Sequence, residues 1–231
     1  MPISGRRIAI VRGGARAREY QAELTAIRRD IHANPELGLE EHRTAELVAR
    51  KLEEWGIETH RGVGKTGVVG VLRSGNGQGA VGLRADMDAL PILEATGREH
   101  AIRNPGKMHA SGHDGHTSML LGAAKYLAET KNFNGTVNFI FQPAEEGVGG
   151  ALAMLEDKLF ERFPCDFVYG MPNRPGLPVG KFVTGPGARA AGGAFFDIKI
   201  EGKGAHGAHP QQSIDPVVVA CHLGAALQSI V

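Results

Sequence analysis

The chain has 231 residues, and 26 Lys and Arg residues against 25 Asp and Glu residues leave a formal net charge of +1. This balance provides no basic field to hold a polyanion, so we expect no nucleic-acid partner. With 42% apolar residues the chain can bury a core, and its 33 glycines, about twice the usual share, show no collagen-like period. Two cysteines, Cys165 and Cys221, are too few for a disulfide framework.

No apolar run approaches the roughly 20 residues that span a bilayer, so we expect no membrane partner. The Arg- and Gly-rich start, Met1 to Arg18, has only a short apolar stretch ending at Val11 and is a poor secretory signal. We therefore expect a cytoplasmic protein. The length predicts one or two domains, at roughly 100 to 200 residues each.

Apolar spacing predicts two helices near the start of the chain. Leu24, Ile27 and Ile31 recur at helical spacing up to Asn34, which precedes a proline. A second helix is predicted from about Glu40 to Trp55, with its apolar residues on one face.

Short apolar runs rich in Val and Leu predict strands over Val68 to Leu72 and Val81 to Ala85. The connection of Ser, Asn, Gln and Gly residues between them predicts a hairpin. Further predicted elements are helices over about 114–130 and 150–159 and strands over 137–141, 167–171 and 181–183. Because helices and strands interleave, we expect an α/β fold with a mixed sheet.

The sequence pattern changes at residues 185–187, where Gly and Pro alternate. Beyond them, Ala194 to Glu201 alternates apolar and polar residues as a strand with one solvated face does. Ser213 to Asp215 caps a final predicted helix that has Pro216 in its first turn. We therefore predict a domain boundary near residue 187, giving domains 1–187 and 188–231.

Polar residues collect where ligands bind in α/β sheets, beyond the carboxyl ends of strands. Four of the ten histidines lie between residues 100 and 116. The polar positions are Asp86 and Asp88, Glu145 and Glu146, Asn173, and a loop with His109, Ser111, His113, Asp114 and His116. Histidines clustered with paired carboxylates favour a metal or acid/base site over isolated structural histidines.

The adjacent Glu145 and Glu146 suit a metal site, since one carboxylate can bind the ion while the other removes a proton from water. The alternative is two solvated glutamates at a helix N-terminus. Asp86 and Asp88 face opposite ways in an extended chain and cannot both chelate one ion, so one of them can orient a histidine. Here the alternative is a turn aspartate before Pro91.

Four segments together carry a resemblance to a known family: residues 29–38 (RDIHANPELG), 84–91 (RADMDALP), 108–117 (MHASGHDGHT) and 141–147 (FQPAEEG). They resemble the M20 peptidase family, most closely its amidohydrolase branch of hippurate, N-acyl-amino-acid and auxin-conjugate hydrolases. The resemblance implies a mixed-sheet metallopeptidase-like catalytic domain followed by the start of an α+β lid domain, through which such proteins often form homodimers. It also implies a divalent-metal amidohydrolase that cleaves N-acyl-amino acids.

Carried over by position, the resemblance makes His113 and Glu146 metal ligands and Glu145 the general base, with Asp88 as the further catalytic carboxylate. His206 resembles the lid histidine that holds the substrate or its oxyanion, and we count Asn173 as substrate-binding. The segment around His206 also matches the spacing of a dinucleotide fingerprint, but the helix that such a motif requires does not follow.

The sequence departs from the family at three places. Ser111 stands where the branch has a ligand cysteine, Pro172 stands where it has a ligand histidine, and the chain ends at Val231, before the position of a last ligand histidine. Of five ligand positions, His113 and Glu146 are kept, and His109, His116 or Asp88 are candidate substitutes.

The metal is expected to be Zn, Mn or Co, and oxygen in place of a thiolate favours the harder Mn²⁺. The alternative function is a catalytically degenerate or truncated relative that acts as a binding or assembly module.

Overall fold

The computed structural model describes residues 14–101, 105–188 and 190–230. Most of the segment Met1 to Arg18, judged above as a poor secretory signal, lies outside these ranges. Within them, no helix is both long and apolar enough to cross a membrane. The chain divides into two compact units, the first ending at Leu177 and the second beginning at Pro178, while the domain boundary near residue 187 stays a prediction.

The first unit interleaves helices and strands. Its elements are α1 (Gly14–Glu19), α2 (Gln21–Ala33), α3 (His42–Glu54), β1 (Glu58–Val63), β2 (Gly67–Ser74), β3 (Ala80–Asp86), α4 (His113–Thr130), β4 (Gly135–Gln142), α5 (Gly150–Glu156), α6 (Leu159–Arg162) and β5 (Phe167–Gly170). The strands form one sheet in the order β1-β2-β4-β3-β5. β2 is antiparallel to β1 and β4, whereas β3 is parallel to β4 and β5, so the predicted mixed α/β class is confirmed.

The sheet carries apolar side chains on both faces, because β4 is buried along nearly its whole length. Phe139 and Phe141 point to the face covered by α2, α3 and α4, and Ile140 points to the face covered by α5 and α6. Alternating side chains of one strand therefore serve both layers of the core. Burial on two faces fixes the register of β4 against its neighbours, since a slip by one residue would exchange the faces.

The predicted hairpin between the strands at 68–72 and 81–85 is wrong. Both strands form, as β2 and β3, but β4 lies between them and pairs with each. The connection between β2 and β3 passes the start of β4. There Asn134 Oδ1 accepts hydrogen bonds from the backbone N–H groups of Asn76 (2.9 Å) and Gly77 (2.7 Å). A Gly-rich connection marks a turn, but the burial of β4 decides which strands pair.

Two local features differ from the predicted elements. β1 has the sequence ETHRGV, whose largely exposed polar residues give no apolar run, so it was missed. The helix predicted over 150–159 is divided into α5 and α6, because Lys158 adopts a left-handed conformation (φ 59°) that a continuous helix excludes.

The second unit contains α7 (Pro216–Leu227) and two short 3₁₀ turns, Pro210–Gln212 and Gln228–Ile230. The predicted cap is confirmed, since Asp215 Oδ1 accepts a hydrogen bond from the Val217 backbone N–H at 2.8 Å. The strands predicted over 181–183 and 194–201 are wrong. Alternation alone does not make a strand, and neither segment has a pairing partner among the described residues.

Candidate metal centre

The parallel pairing of β3 with β4 and β5 brings three strand ends to one edge of the sheet. β3 ends at Asp86, β4 leads into residues 143–146, and β5 leads into the irregular segment with Asn173. The helix α4 starts at this edge, after Gly112 in a left-handed conformation (φ 82°), and presents His113 in its first turn. Residues far apart in the chain therefore meet around one imidazole.

The His113 ring faces carboxylates on both of its nitrogens. Its Nδ1 lies 3.1 Å from Asp88 Oδ1, a hydrogen bond in which the imidazole donates. Its Nε2 lies 3.7 Å from Asp86 Oδ2, 3.8 Å from Glu145 Oε2 and 3.9 Å from Glu146 Oε1. Because Asp88 holds a proton at Nδ1, the Nε2 of the neutral form of the ring directs its lone pair toward the three carboxylates.

Asp88 joins the histidine to the loop after β4. It is 1% exposed, and its Oδ2 accepts a hydrogen bond from the Glu146 backbone N–H at 2.9 Å. Burial acts to raise the pKa of Asp88, but the hydrogen bonds from His113 and from the backbone of Glu146 and Glu145 bring that pKa below its ordinary value. Asp88 is therefore an anchored anion that orients the His113 ring.

Asp86 is held by a separate set of contacts. His116 Nδ1 donates to Asp86 Oδ1 at 2.6 Å, and Arg84 Nη1 donates to Asp86 Oδ2 at 2.7 Å. Burial opposes ionisation of Asp86, but its pKa is lowered by the His116 hydrogen bond and by the charges of His113 and Arg84. On the far side of the His116 ring, Nε2 accepts the Asn173 backbone N–H at 2.8 Å.

The two glutamates are more open than the aspartates. The side chain of Glu145 is 42% exposed and that of Glu146 is 28% exposed. The Ser111 hydroxyl donates a short hydrogen bond to Glu146 Oε1. The carboxylates of this cluster thus differ in solvent exposure: Asp86 and Asp88 are buried, and Glu145 is accessible to solvent.

Within the described residues, two groups of side chains have donor atoms close enough to share one ion: Asp86, His113 and His116, and His113, Glu145 and Glu146. Both groups contain His113. Both nitrogens of His116 already hold hydrogen bonds, whereas the Glu145 side chain is open to solvent. Of the two groups, the one with the glutamates therefore has the carboxylate that is more open to an ion.

The charge of the cluster suits a divalent cation. Burial lowers the pKa of His113, but its hydrogen bond to Asp88 and the charges of Asp86, Asp88 and Glu145 raise it above the ordinary value. The surrounding carboxylates thus create a negative potential at His113. One imidazole with carboxylate oxygens is a donor set typical of divalent metals.

Of the predicted site residues, the structure brings five together: Asp88, Ser111, His113, Glu145 and Glu146. Asn173 lies beside them, against His116. His206 lies in the second unit, where its Nδ1 accepts the Ala208 N–H at 3.1 Å.

His109 belongs to neither of the two groups. It is buried, burial lowers its pKa to about 4, and its ring stands 6.3 Å from that of His32. The sequence pattern did not single out one contributor, Arg84, which donates to Asp86. Arg84 stands two residues before Asp86 on the same strand, and that spacing is the signal that points to it.

The mixed sheet and the histidine–carboxylate cluster at its parallel strand ends define an α/β protein with a candidate divalent-metal centre. The chain belongs to the peptidase family M20/M25/M40, whose model matches residues 82–229.

The chain is 52% identical over 213 residues to the hippurate hydrolase of Campylobacter jejuni, covering 92% of this chain and 55% of that protein. A solved structure of a dinuclear metal-binding M20 peptidase from Bacillus subtilis is 40% identical, with a TM-score of 0.67 over 71% of this chain and 46% of that one. A putative aminohydrolase structure from methicillin-resistant Staphylococcus aureus is 33% identical, with a TM-score of 0.77 over 94% of this chain and 58% of that one. The chain thus spans about half the length of these relatives.

Proposed function

We propose that the protein is a metal-dependent amidohydrolase that cleaves the amide bond of N-acyl-amino acids of the hippurate type. The observation that carries the proposal is the position of His113 Nε2, which lies within 4 Å of carboxylate oxygens of Asp86, Glu145 and Glu146. The similarity to a hippurate hydrolase supports the substrate class.

The residues of the cluster divide the chemistry between them. His113 and Glu146 hold the ion, with Ser111, at the family's cysteine position, as a weak additional oxygen donor. When bound, a divalent ion polarises the amide carbonyl and lowers the pKa of water. Glu145, the most exposed carboxylate of the cluster, has room to accept the proton of the attacking water and to return it to the leaving amine. Asp88 keeps the His113 ring in place throughout.

Asn173 and His206 are proposed to bind the substrate. Asn173 lies beside the centre, with its backbone N–H on His116. His206 is exposed in the second unit and is assigned a role on the substrate carbonyl, as in the family lid. The first domain, 1–187, carries the metal centre, and 188–231 begins a lid that forms a homodimer.

The cofactor is proposed to be Mn²⁺, Zn²⁺ or Co²⁺, bound in the cytoplasm. Oxygen ligands outnumber nitrogen ligands in the cluster, and this favours Mn²⁺.

Pro172, at the family's histidine position, offers no side-chain donor atom. This observation favours a second candidate, a relative that keeps the fold as a binding or assembly module without turnover.

The test is calorimetric titration of the purified 231-residue chain with Mn²⁺, Zn²⁺ and Co²⁺, followed by an assay on N-benzoylglycine. We expect one ion per chain and hydrolysis that is lost in Glu145→Gln, while Glu145→Gln still binds metal. Glu161→Gln, an exposed glutamate of α6, is the matched control and keeps the activity. Metal binding without hydrolysis would favour the second candidate, the binding or assembly module. Absence of metal binding would refute the proposed metal centre.

A further inference from the structure

We infer that Glu41 is a positioning residue that sets the geometry of the loop carrying Glu145 and Glu146, an inference that rests on the metal centre proposed above. Glu41 directly precedes α3 and is fully buried. Its Oε1 accepts the Ala144 backbone N–H at 2.7 Å, and its Oε2 accepts the Thr66 hydroxyl at 2.5 Å. A buried carboxylate without hydrogen-bond partners destabilises the fold, so the folded state favours keeping both of these contacts.

Glu41 stands at the N-cap position of α3, but its side chain does not cap that helix. The carboxylate of Glu36 caps it instead, accepting the backbone N–H groups of Arg43 at 2.9 Å and Thr44 at 2.8 Å. With the helix end satisfied by another residue, the Glu41 side chain is free to reach across to the loop. Its contact with Ala144 spans 103 residues of sequence and therefore has no local explanation.

Ala144 is the residue whose conformation aims the two glutamates. It is fully buried and has φ 46°, a left-handed value that non-glycine residues rarely adopt. Such a conformation persists when surrounding contacts impose it. Glu41 binds the N–H of this residue, directly before Glu145, so loss of that bond releases the backbone from which both glutamates project.

The segment Glu36–Glu41 contacts both loops of the metal centre. The Glu36 carbonyl accepts the Ala89 N–H at 2.8 Å, next to Asp88. Gly38 approaches Ala144 so closely that a Cβ at Gly38 would lie 2.9 Å from the Ala144 Cβ. One short segment thus holds the loop after β3 and the loop after β4 in a fixed relation.

The experiment compares Glu41→Leu, Glu41→Gln and Thr66→Val in the 231-residue chain. Leucine removes the acceptor for Ala144. Glutamine keeps an acceptor oxygen and can donate to Thr66, so it is the conservative rescue. Valine at position 66 removes the hydroxyl contact and leaves the bond to Ala144, so it controls for general loss of stability. Hydrogen exchange of the metal-free chain and calorimetric titration with Mn²⁺ are the two readouts.

We expect Glu41→Leu to speed amide exchange in the 144–150 loop by about tenfold and to weaken Mn²⁺ binding by about tenfold. Glu41→Gln stays within about threefold of the original chain in both, and Thr66→Val lowers the melting temperature without a selective effect on the loop. If Glu41→Leu does not fold, Gly38→Ala displaces the same residue and is expected to act in the same direction.

Loop exchange no faster in Glu41→Leu than in Thr66→Val would overturn the inference, and so would a glutamine variant as impaired as the leucine variant. Faster loop exchange in a chain whose original form binds no Mn²⁺ supports the positioning role and refutes the metal centre. The two proposals therefore fail separately.

Discussion

The carboxylate of Asp88 lies 3.1 Å from His113 Nδ1 and leaves the other ring nitrogen free to bind an ion. The same carboxylate accepts the Glu146 backbone N–H. In Asp88→Asn, the amide group faces one of these two donors with N–H groups of its own, so one bond is lost. We expect the Mn²⁺ dissociation constant, measured by calorimetry, to rise about tenfold.

The control for this variant is Asp30→Asn, a half-exposed aspartate that pairs with Arg43. It makes the same chemical change away from the centre and should leave metal binding unaltered. Equal affinity in Asp88→Asn and the original chain would contradict the role of Asp88.

Restoring the two family ligands should strengthen the centre. Ser111→Cys combined with Pro172→His adds a thiolate and an imidazole beside Glu146 and Asn173. Because both groups are better zinc ligands than a hydroxyl, we expect Zn²⁺ affinity to rise at least about tenfold, measured by competition with a chelator. Ser74→Cys with Pro164→His adds the same groups elsewhere. If the restored variant binds Zn²⁺ no better than that control, the ligand assignment is wrong.

Glu23 links three helices and should make stability depend on pH. Its carboxylate pairs with Lys125 at 2.5 Å and Lys51 at 2.9 Å, and its pKa is lowered mainly by the Lys125 hydrogen bond, against the effect of burial. A lowered carboxyl pKa stabilises the fold above the usual value of 4.5, and this contribution is lost as the pH falls through the folded-state pKa.

Glu23→Gln should therefore reduce the free energy of unfolding at pH 7 by about 1 kcal/mol, and by less at pH 3. Urea denaturation at both pH values measures the difference. Glu54→Gln is the matched control, because Glu54 pairs with the same Lys51 but is 58% exposed, and its loss should be smaller. A loss in Glu23→Gln that does not change with pH would contradict the assignment.

Two glycines near the β1–β2 turn, one at the end of β1 and one in the turn, should differ in their response to alanine. Gly62 (φ 74°) and Gly64 (φ 62°) both adopt left-handed conformations, but only at Gly64 would a Cβ strike α5, 2.6 Å from the Met154 nitrogen. Gly62→Ala should cost about 1 to 2 kcal/mol in unfolding free energy, from backbone strain. Gly64→Ala should cost about 1 to 3 kcal/mol more, from overpacking. Equal melting temperatures for the two variants would contradict this packing.

Many elements of the fold could be predicted from the sequence, because the residues that indicate them lie close together in the chain. The apolar spacing of Ile27 and Ile31 marks α2, and the Asp215 cap marks α7, each through contacts within a few residues. The separation of β2 from β3 could not be predicted in this way, because β4, the strand between them, starts only at Gly135, after α4. The buried faces of β4 make that order favourable.

The sequence by itself determined the chemical types available at the site, since Asp88, His113, Glu145 and Glu146 stand next to strand or helix ends. The tertiary structure decided which of them meet. The parallel pairing of β3 and β4 places His113 between the aspartates and the glutamates, at distances that no spacing in the chain encodes. Glu41 shows the same limit, since its role depends on one hydrogen bond to a backbone N–H that only the packed fold brings within reach.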